Sequence, residues 1–435
     1  MQSARGMHDI LPEEISYWQY IYNTALEILG TANYQEVRTP LLESTSLFLR
    51  TIGQDTDIVN KEMYNLVDQG NRDLTLRPEG TAGVARAVIE HKLCEKQAIQ
   101  KLWYLGPMFR YERPQQGRQR QFHQLGLECY GNKSPVIDAE TIHLAKTTLN
   151  ALHCTDFTLE INSIGNREER ALYASRLQEY LKKYETDLDL DSYKRLRSNP
   201  IKVLDSKSPE TKKILQDAPN LKDFLGSESQ QHFELVQGYL TSLNITFEVN
   251  TKLVRGLDYY NDTVFEIRSE ELGSQGTICG GGRYDNLTEY LGGKKIPAMG
   301  WGIGMERLLL LVKSKLLISC QNLCFYVATQ DMMHIKYSLQ MIPFMQKFGT
   351  KYELDISGSV LRKQIQKASK RKAMICIIVG QKEVDDQTVT LKWLYKDYQK
   401  TYKIETLQHL LPKIRKEYIS FTQDDISRSN DKTNS

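Results

Sequence analysis

The sequence predicts a mixed α/β fold: an α+β core followed by a smaller α/β domain. Three observations carry this. Residues 102–111 and 121–130 are β-rich runs flanking a polar loop, which is a hairpin signal. Residues 167–243 read as helices with charged faces, broken near Pro200, Pro209 and Pro219. From residue 323 onward strands and helices alternate at lengths suited to one compact domain. At ~150 residues per domain, 435 residues imply two or three domains. We place a core at 1–320 with the helical insertion at about 167–243, a second domain at 321–412, and an extension at 413–435 that is polar and disordered toward its end.

Taken in order, Pro12, Glu13 and Glu14 open a helix, with proline in the first turn and carboxylates at the positive end of the dipole. Ile15, Trp18, Ile21, Tyr22, Ala25 and Leu29 then recur at helical spacing. The hairpin loop holds Arg113, Arg118 and Arg120, an unusually basic tip. Strands return from Ile245, over 255–267 and at 276–279, and residues 300–312 pass from a glycine-alternating strand into a helix. The second domain reads strand 323–328, helix 332–348, strand 352–356, helix 359–372, strand 374–379, then strands at 388–393 and 400–404.

Composition narrows the class. Hydrophobic residues make up 40% and charged residues 26%, the balance of a globular chain, which excludes collagen-like, coiled-coil and wholly disordered readings. The net charge is +3, from 57 basic against 54 acidic residues, so any nucleic-acid surface must be local. No apolar run approaches the ~18 residues of a membrane span. Residues 1–14 lack an apolar core and carry three acidic residues, unlike a signal or transit peptide. The seven cysteines are an odd number and sit mostly in apolar runs, and Cys320 with Cys324 lacks partners for a zinc site. Reduced core thiols in a reducing compartment are expected, a cytoplasm, with an organelle interior such as the plastid stroma as the alternative.

Five segments carry chemistry. On strand 121–130, alternation sets Gln124, Gly126 and Glu128 on one face and His123, Leu125 and Leu127 on the other. An amide and a carboxylate ~13 Å apart, with bare glycine between, could grip a small ligand at both ends. In TLRPEGT (75–81), Pro78 and Gly80 form a turn presenting Glu79 and Thr81, groups suited to an ammonium. In RGLDYY (255–260), Tyr259 and Tyr260 can line one pocket only where the strand bends, as at Gly256. GGGRYD (280–285) lacks Walker and dinucleotide spacings, so its glycines read as close-approach backbone beside a pocket. Gly300, Gly302 and Gly304 clear one strand face for a flat ring, with Arg307 in the helical turn that follows.

In that order these segments resemble the class II aminoacyl-tRNA synthetases, and within them the histidyl-tRNA synthetase family of bacterial type. Residues 37–53, 104–128 and 297–310 resemble motifs 1, 2 and 3; RGLDYY and GGGRYD resemble the two motifs peculiar to the histidine enzymes. The likeness runs from Arg5 to about Pro412 and implies an antiparallel sheet flanked by helices, a helical insertion and an anticodon-binding domain. It implies ligation of L-histidine to tRNA(His) with ATP as substrate, Mg²⁺ carried on the ATP phosphates with no protein metal site, and a homodimer built on motif 1. By position, Glu79, Thr81 and Gln124 would hold the α-ammonium of histidine. Glu128, Tyr259 and Tyr260 would read its ring. Arg110 would grip the α-phosphate, Arg307 the terminal phosphate, and Arg255 the α-phosphate together with the histidine carboxylate. Arg118 and Arg120 would meet ATP or the tRNA acceptor end.

The second domain resembles an anticodon-binding domain. Residues 356–382 carry Arg362, Lys363, Lys367, Lys370, Arg371, Lys372 and Lys382 and no acidic residue, and Lys363, Lys367, Lys370 and Arg371 share one helical stripe. That is a local electrostatic footprint for phosphates, competing with the plainer reading of a solvated basic face. Three rival functions remain. An inactive relative such as the regulatory subunit of ATP phosphoribosyltransferase would show a degraded RGLDYY. A synthetase for another amino acid would not need Glu128 with the tyrosine pair. An ATP-binding protein without RNA would not need the basic helix.

Overall fold

The computed structural model describes residues 1–433 apart from 54, 55, 57, 116, 317–323 and 397, with backbone alone at 205, 274, 275 and 421–433. Its contacts divide the chain into two units, Met1–Leu316 and Leu317–Ser435. The boundary expected at 320/321 falls outside the described residues.

In the first unit, α1 (Pro12–Thr31) starts at its proline and buries Trp18, Ile21, Ala25 and Leu29. The short strands β1 (Gln35–Glu36) and β2 (Leu42–Ser44) lead to α2 (Thr45–Thr51). Strands β3 (Tyr64–Val67) and β4 (Asp73–Leu76) complete a small antiparallel sheet of order β2-β4-β3. Helices α3 (Thr81–Glu90) and α4 (Leu93–Lys96) precede the hairpin β5 (Gln100–Phe109) and β6 (Gln121–Tyr130). Then come α5 (Pro135–Ala151), capped by Ser134, and β7 (Thr158–Ser163). The helical stretch is α6 (Arg167–Lys182), α7 (Leu190–Ser198), α8 (Pro209–Ile214) and α9 (Ser227–Ser242). After β8 (Glu248–Val249) the chain forms β9 (Asn261–Arg268), β10 (Thr277–Arg283), α10 (Leu287–Tyr290), β11 (Ala298–Gly304) and α11 (Met305–Lys315).

The main sheet has eight strands, order β1-β5-β6-β11-β10-β9-β7-β8, and is antiparallel except at its two edges. Alternation decides its two faces. Leu125, Leu127, Trp301, Ile303, Phe265 and Ile267 pack into one core with α1, α5, α9 and α11. Tyr104, Tyr259, Tyr260, Val264 and Tyr284 lie in a second core with α3 and α6. Val236 and Leu240 put α9 in the first core, whereas Tyr173, Leu177, Leu196 and Leu221 put the preceding helices in the second. The stretch expected as one insertion is thus divided between two cores, because the apolar stripe of α9 matches α5.

The second unit holds β12 (Phe325–Thr329), α12 (Ile335–Ser338), α13 (Ile342–Lys347), β13 (Tyr352–Leu354), α14 (Leu361–Lys370), β14 (Ile375–Val379), α15 (Gln381–Asp385), β15 (Thr388–Trp393), β16 (Tyr398–Lys403) and α16 (Leu407–Thr433). Its sheet runs β13-β12-β14-β15-β16, parallel across the first three strands. Two expectations change. The single helix at 332–348 is broken into short turns, with Pro343 in the first turn of the last piece, where its missing N–H costs nothing. The extension is helical to Thr433 rather than disordered from Thr422, since after Pro412 no proline or glycine interrupts it.

Candidate active site

Strand register lays bare backbone across the second face of the main sheet. Tyr104 of β5 stands opposite Gly126, Gly126 opposite Gly302, and Gly302 opposite Gly280. In the next row, Glu128, Gly300 and Gly282 are aligned. Functional side chains lie directly on this floor. A Cβ at Gly300, Gly302 or Gly280 would come under 3.0 Å from Glu128, Gln124 or Arg255 respectively. A Cβ at Gly304 would meet nothing described within 4 Å. The expectation of one fully cleared face at 300, 302 and 304 is therefore corrected: two positions are covered by the protein's own side chains, and room for a flat ring is at the Gly304 end.

Glu128 is 1% exposed. Its carboxylate accepts from the Thr81 hydroxyl at 2.7 Å, the Tyr104 hydroxyl at 3.3 Å and the Tyr284 hydroxyl. Burial pushes its pKa up to about 8, opposed by the hydroxyl donors and reinforced by nearby Glu79. Burial also raises Glu79, opposed by the backbone N–H groups of Ala82 and Thr81, which donate to it at the start of α3. Gln124 Oε1 accepts from the Gly80 N–H at 3.2 Å, joining the TLRPEGT turn to β6.

The expected strand over 255–267 begins only at Asn261, and residues 255–260 form a turn. That bend lets both tyrosines face one pocket: the Tyr259 and Tyr260 rings are 4.6 Å apart, and Tyr259 is 5.5 Å from Tyr284.

The arginines gather at the other end. Arg110 Nε donates to the Pro78 carbonyl at 2.8 Å, fixing motif 2 against the TLRPEGT turn. Glu112 lies 3.8 Å from Arg110 and 3.1 Å from Arg118. The Arg307 pKa is lowered by burial first, then by the charges of Arg118 and Arg110, with Glu112 and Glu266 opposing; these groups therefore share one neighbourhood. Arg307 also donates to the Thr277 carbonyl at 3.0 Å. The Thr277 hydroxyl donates to Glu266 at 2.9 Å, and Glu266 pairs with Arg255. Glu112 thus joins Arg110 and Arg118 of the loop after β5, and Glu266 joins Arg255 of the 255–260 turn and, through Thr277, Arg307 of α11. A cavity of about 460 Å³ adjoins the cluster at Arg118, the one of these arginines that lines it, together with His8, Gly117, Gln119, Glu306 and Lys313.

Arg120 does not join this cluster. Its guanidinium stacks 3.6 Å over the Tyr111 ring and donates to the Glu112 carbonyl, while its backbone N–H reaches the Gly6 carbonyl. Arg283 of GGGRYD is fully buried, paired with Asp138 and, at 3.2 Å, with Asp285. Tyr104, Glu112, Glu266 and Tyr284 were not singled out from sequence. Tyr284 follows glycines that carry the stronger local signal of its motif, and Tyr104 acquires its place only through the pairing of β5 with Gly126.

In the second unit, Arg362, Lys363, Lys370 and Arg371 are exposed. Two of the stripe's cations have acidic neighbours: Arg371 lies 3.8 Å from Glu353, and the Lys367 ammonium lies 2.5 Å from Ser357 Oγ and 3.5 Å from Asp355. Among the described residues Cys129, Cys154, Cys279, Cys324 and Cys376 are buried free thiols and Cys94 is half-buried.

An antiparallel sheet with convergent arginines, joined in one chain to a separate α/β unit, is the architecture of a class II aminoacyl-tRNA synthetase. The family model for histidyl-tRNA synthetase matches residues 6–308, and that for the anticodon binding domain matches residues 326–414. The chloroplastic histidine–tRNA ligase of Gracilaria tenuistipitata var. liui is 54% identical, covering 94% of this chain and 99% of that protein. That of Pyropia yezoensis is 50% identical, covering 97% and 98%. The crystal structure of apo histidyl-tRNA synthetase from S. aureus superposes with a TM-score of 0.80 at 32% identity, covering 94% of this chain and 99% of that one. The chain belongs to the histidyl-tRNA synthetase family.

Proposed function

We propose that the chain is a histidine–tRNA ligase that activates L-histidine with ATP and transfers the histidyl group to the 3′-terminal ribose of tRNA(His). One observation carries the site assignment. A buried carboxyl, Glu128, ringed by three hydroxyls and flanked by two tyrosine rings, stands on a glycine floor beside a convergent arginine cluster. This is a polar pocket for a small ring next to a polyanion site.

In activation, a histidine carboxylate oxygen attacks the ATP α-phosphorus in line; the new O–P bond forms as the bond to pyrophosphate breaks. Both reactants are anionic, so the demand is for fixed positive charge. Arg110 would hold the α-phosphate, Arg255 the α-phosphate and histidine carboxylate, and Arg307 with Arg118 the remaining phosphates. Arginine keeps its charge and offers phosphate a two-point fork. Glu79, Gln124 and Thr81 would hold the ammonium; because Thr81 donates its proton to Glu128, its oxygen lone pairs remain available as acceptors. Glu128 would accept from the imidazole N–H, with Tyr259 and Tyr260 closing over the ring. Mg²⁺, held through ATP phosphate oxygens, would screen part of the phosphate charge.

For tRNA we assign the exposed cations Arg362, Lys363 and Lys370 of α14 and Arg371 at its end, with Arg118 near the acceptor end; Lys367 and Arg120 would act through the positions of their neighbours. A homodimer is supported by apolar side chains exposed around motif 1: Leu41, Leu42, Leu49, Leu66 and Val67. No helix of the described residues is long and apolar enough to cross a membrane. A cytoplasmic location is the reading we take, with an organelle interior such as the plastid stroma as the alternative, since relatives near 50% identity include both chloroplastic and cyanobacterial histidine–tRNA ligases.

The test is exchange of labelled pyrophosphate into ATP with each amino acid supplied separately. Histidine alone should support exchange. Exchange with another amino acid but not histidine would refute the reading, and none with any amino acid would favour an inactive relative.

A further inference from the structure

The Arg255–Tyr260 turn is held from outside the pocket by the helical stretch. Arg170, in the first turn of α6, donates to the Tyr260 carbonyl. Lys202, in the 3₁₀ turn Pro200–Asp205, forms an ion pair with Asp258 Oδ1 at 2.9 Å, without an aligned hydrogen bond, and these side chains are 14% and 34% exposed. Asn199 reaches the same oxygen at 3.4 Å. From the opposite side, the Asp258 N–H donates to the Ile52 carbonyl at 3.3 Å, and a Cβ at Gly53 would collide with the Asp258 carboxylate. The turn has no ladder hydrogen bonds of its own, since β9 begins at Asn261. Behind it lies a cavity of about 230 Å³ lined by Arg170, Lys202, Arg255 and Asp258 among apolar residues, so packing alone does not lock its position.

We propose that Lys202 and Arg170 are positioning residues for histidine recognition: they clamp the turn carrying Arg255, Tyr259 and Tyr260, and so make the amino-acid pocket depend on a helical element that touches no substrate. The proposal rests on the assignment of that turn to histidine, and the physical basis is ordinary. Groups that bind a small ligand must be held to a fraction of an ångström, and a misplacement of ~1 Å can cost ~100-fold. Asp258 is the handle: its backbone lies two residues from Tyr260 and three from Arg255, and its carboxylate is gripped by another element.

The test uses pyrophosphate exchange by the full-length protein, with histidine and ATP varied separately. Lys202→Met should raise the histidine KM by about tenfold and the ATP KM by only about two- to threefold, because Arg255 alone of the three groups on the turn also meets ATP, whose other phosphate contacts come from Arg110, Arg118 and Arg307. Lys202→Arg should stay near the parent. The exchanged pair Lys202→Asp with Asp258→Lys should recover most of the lost histidine affinity, which a merely structural defect would not do. Arg170→Leu offers the same KM split should Lys202→Met fail to fold, as judged by thermal melting. An unchanged histidine KM in Lys202→Met, or equal rises in both KM values with no recovery in the exchanged pair, overturns the clamp. Arg255→Ala is run alongside: if it abolishes exchange while Lys202→Met is silent, the clamp falls and the site assignment survives. Normal exchange in Arg255→Ala would remove that assignment and the clamp with it.

Discussion

Replacing Glu128 with glutamine tests the pocket through stability rather than catalysis. The carboxyl is fully buried, and its pKa is pushed from 4.5 up to about 8. A raised folded-state value means the stability contribution is present in full below pH ~4.5 and is lost as pH rises through about 8. At ~1.4 kcal/mol per pKa unit the whole window is worth at most ~5 kcal/mol. The first unit spans residues 1–316; at ~2.1 cal/mol/K per residue this corresponds to a Tm change of roughly 7 °C. Glu128→Gln cannot ionise, and its amide oxygen can still accept from Thr81 or Tyr284. The ligand-free parent should therefore lose several degrees more than the variant between pH 5 and pH 8. Glu79 and Asp262, also raised by burial, remain in both proteins and largely cancel in the difference. Differential scanning calorimetry at three pH values suffices. Parallel Tm–pH curves would show that Glu128 does not titrate in this range and would remove the buried-carboxyl argument.

Further outcomes follow from the same geometry. Arg255→Ala should lower the activation rate by about 100-fold or more with much smaller loss of histidine binding, checked by single-turnover exchange against equilibrium dialysis. Glu128→Ala should relax selection for histidine over other amino acids in the exchange assay; intact selectivity would take it out of the ring-reading role. Val67→Asp, on the exposed small sheet, should convert a dimer to monomer by size-exclusion chromatography with light scattering. Lys363→Glu should weaken tRNA binding and reduce the salt slope by about one. Lys367→Met should instead lower the Tm of the second unit, because its ammonium is engaged by Asp355 and Ser357.

Local sequence was enough for whatever depends on spacing along one stretch of chain. The β5–β6 hairpin, the glycine-alternating strand running into α11, the proline start of α1 and the division of Gln124 and Glu128 from Leu125 and Leu127 all follow from turn residues and period-two or helical patterning. Motif order carried the family as well, since five short segments in one sequence constrain each other far more than any does alone. Tertiary structure decided which groups meet. Tyr284 on Glu128 and Tyr104 over Gly126 depend on strand register between segments up to about 150 residues apart, and register is not written in either strand alone; Glu112 and Glu266 pair with arginines nearby in sequence, but only the folded loop and turn select those partners. The same holds for the 255–260 turn. Its apolar and aromatic content reads as strand, yet contacts to Ile52, Arg170 and Lys202 hold it as a bend, and competition between local propensity and distant partners is settled only when those partners are in place.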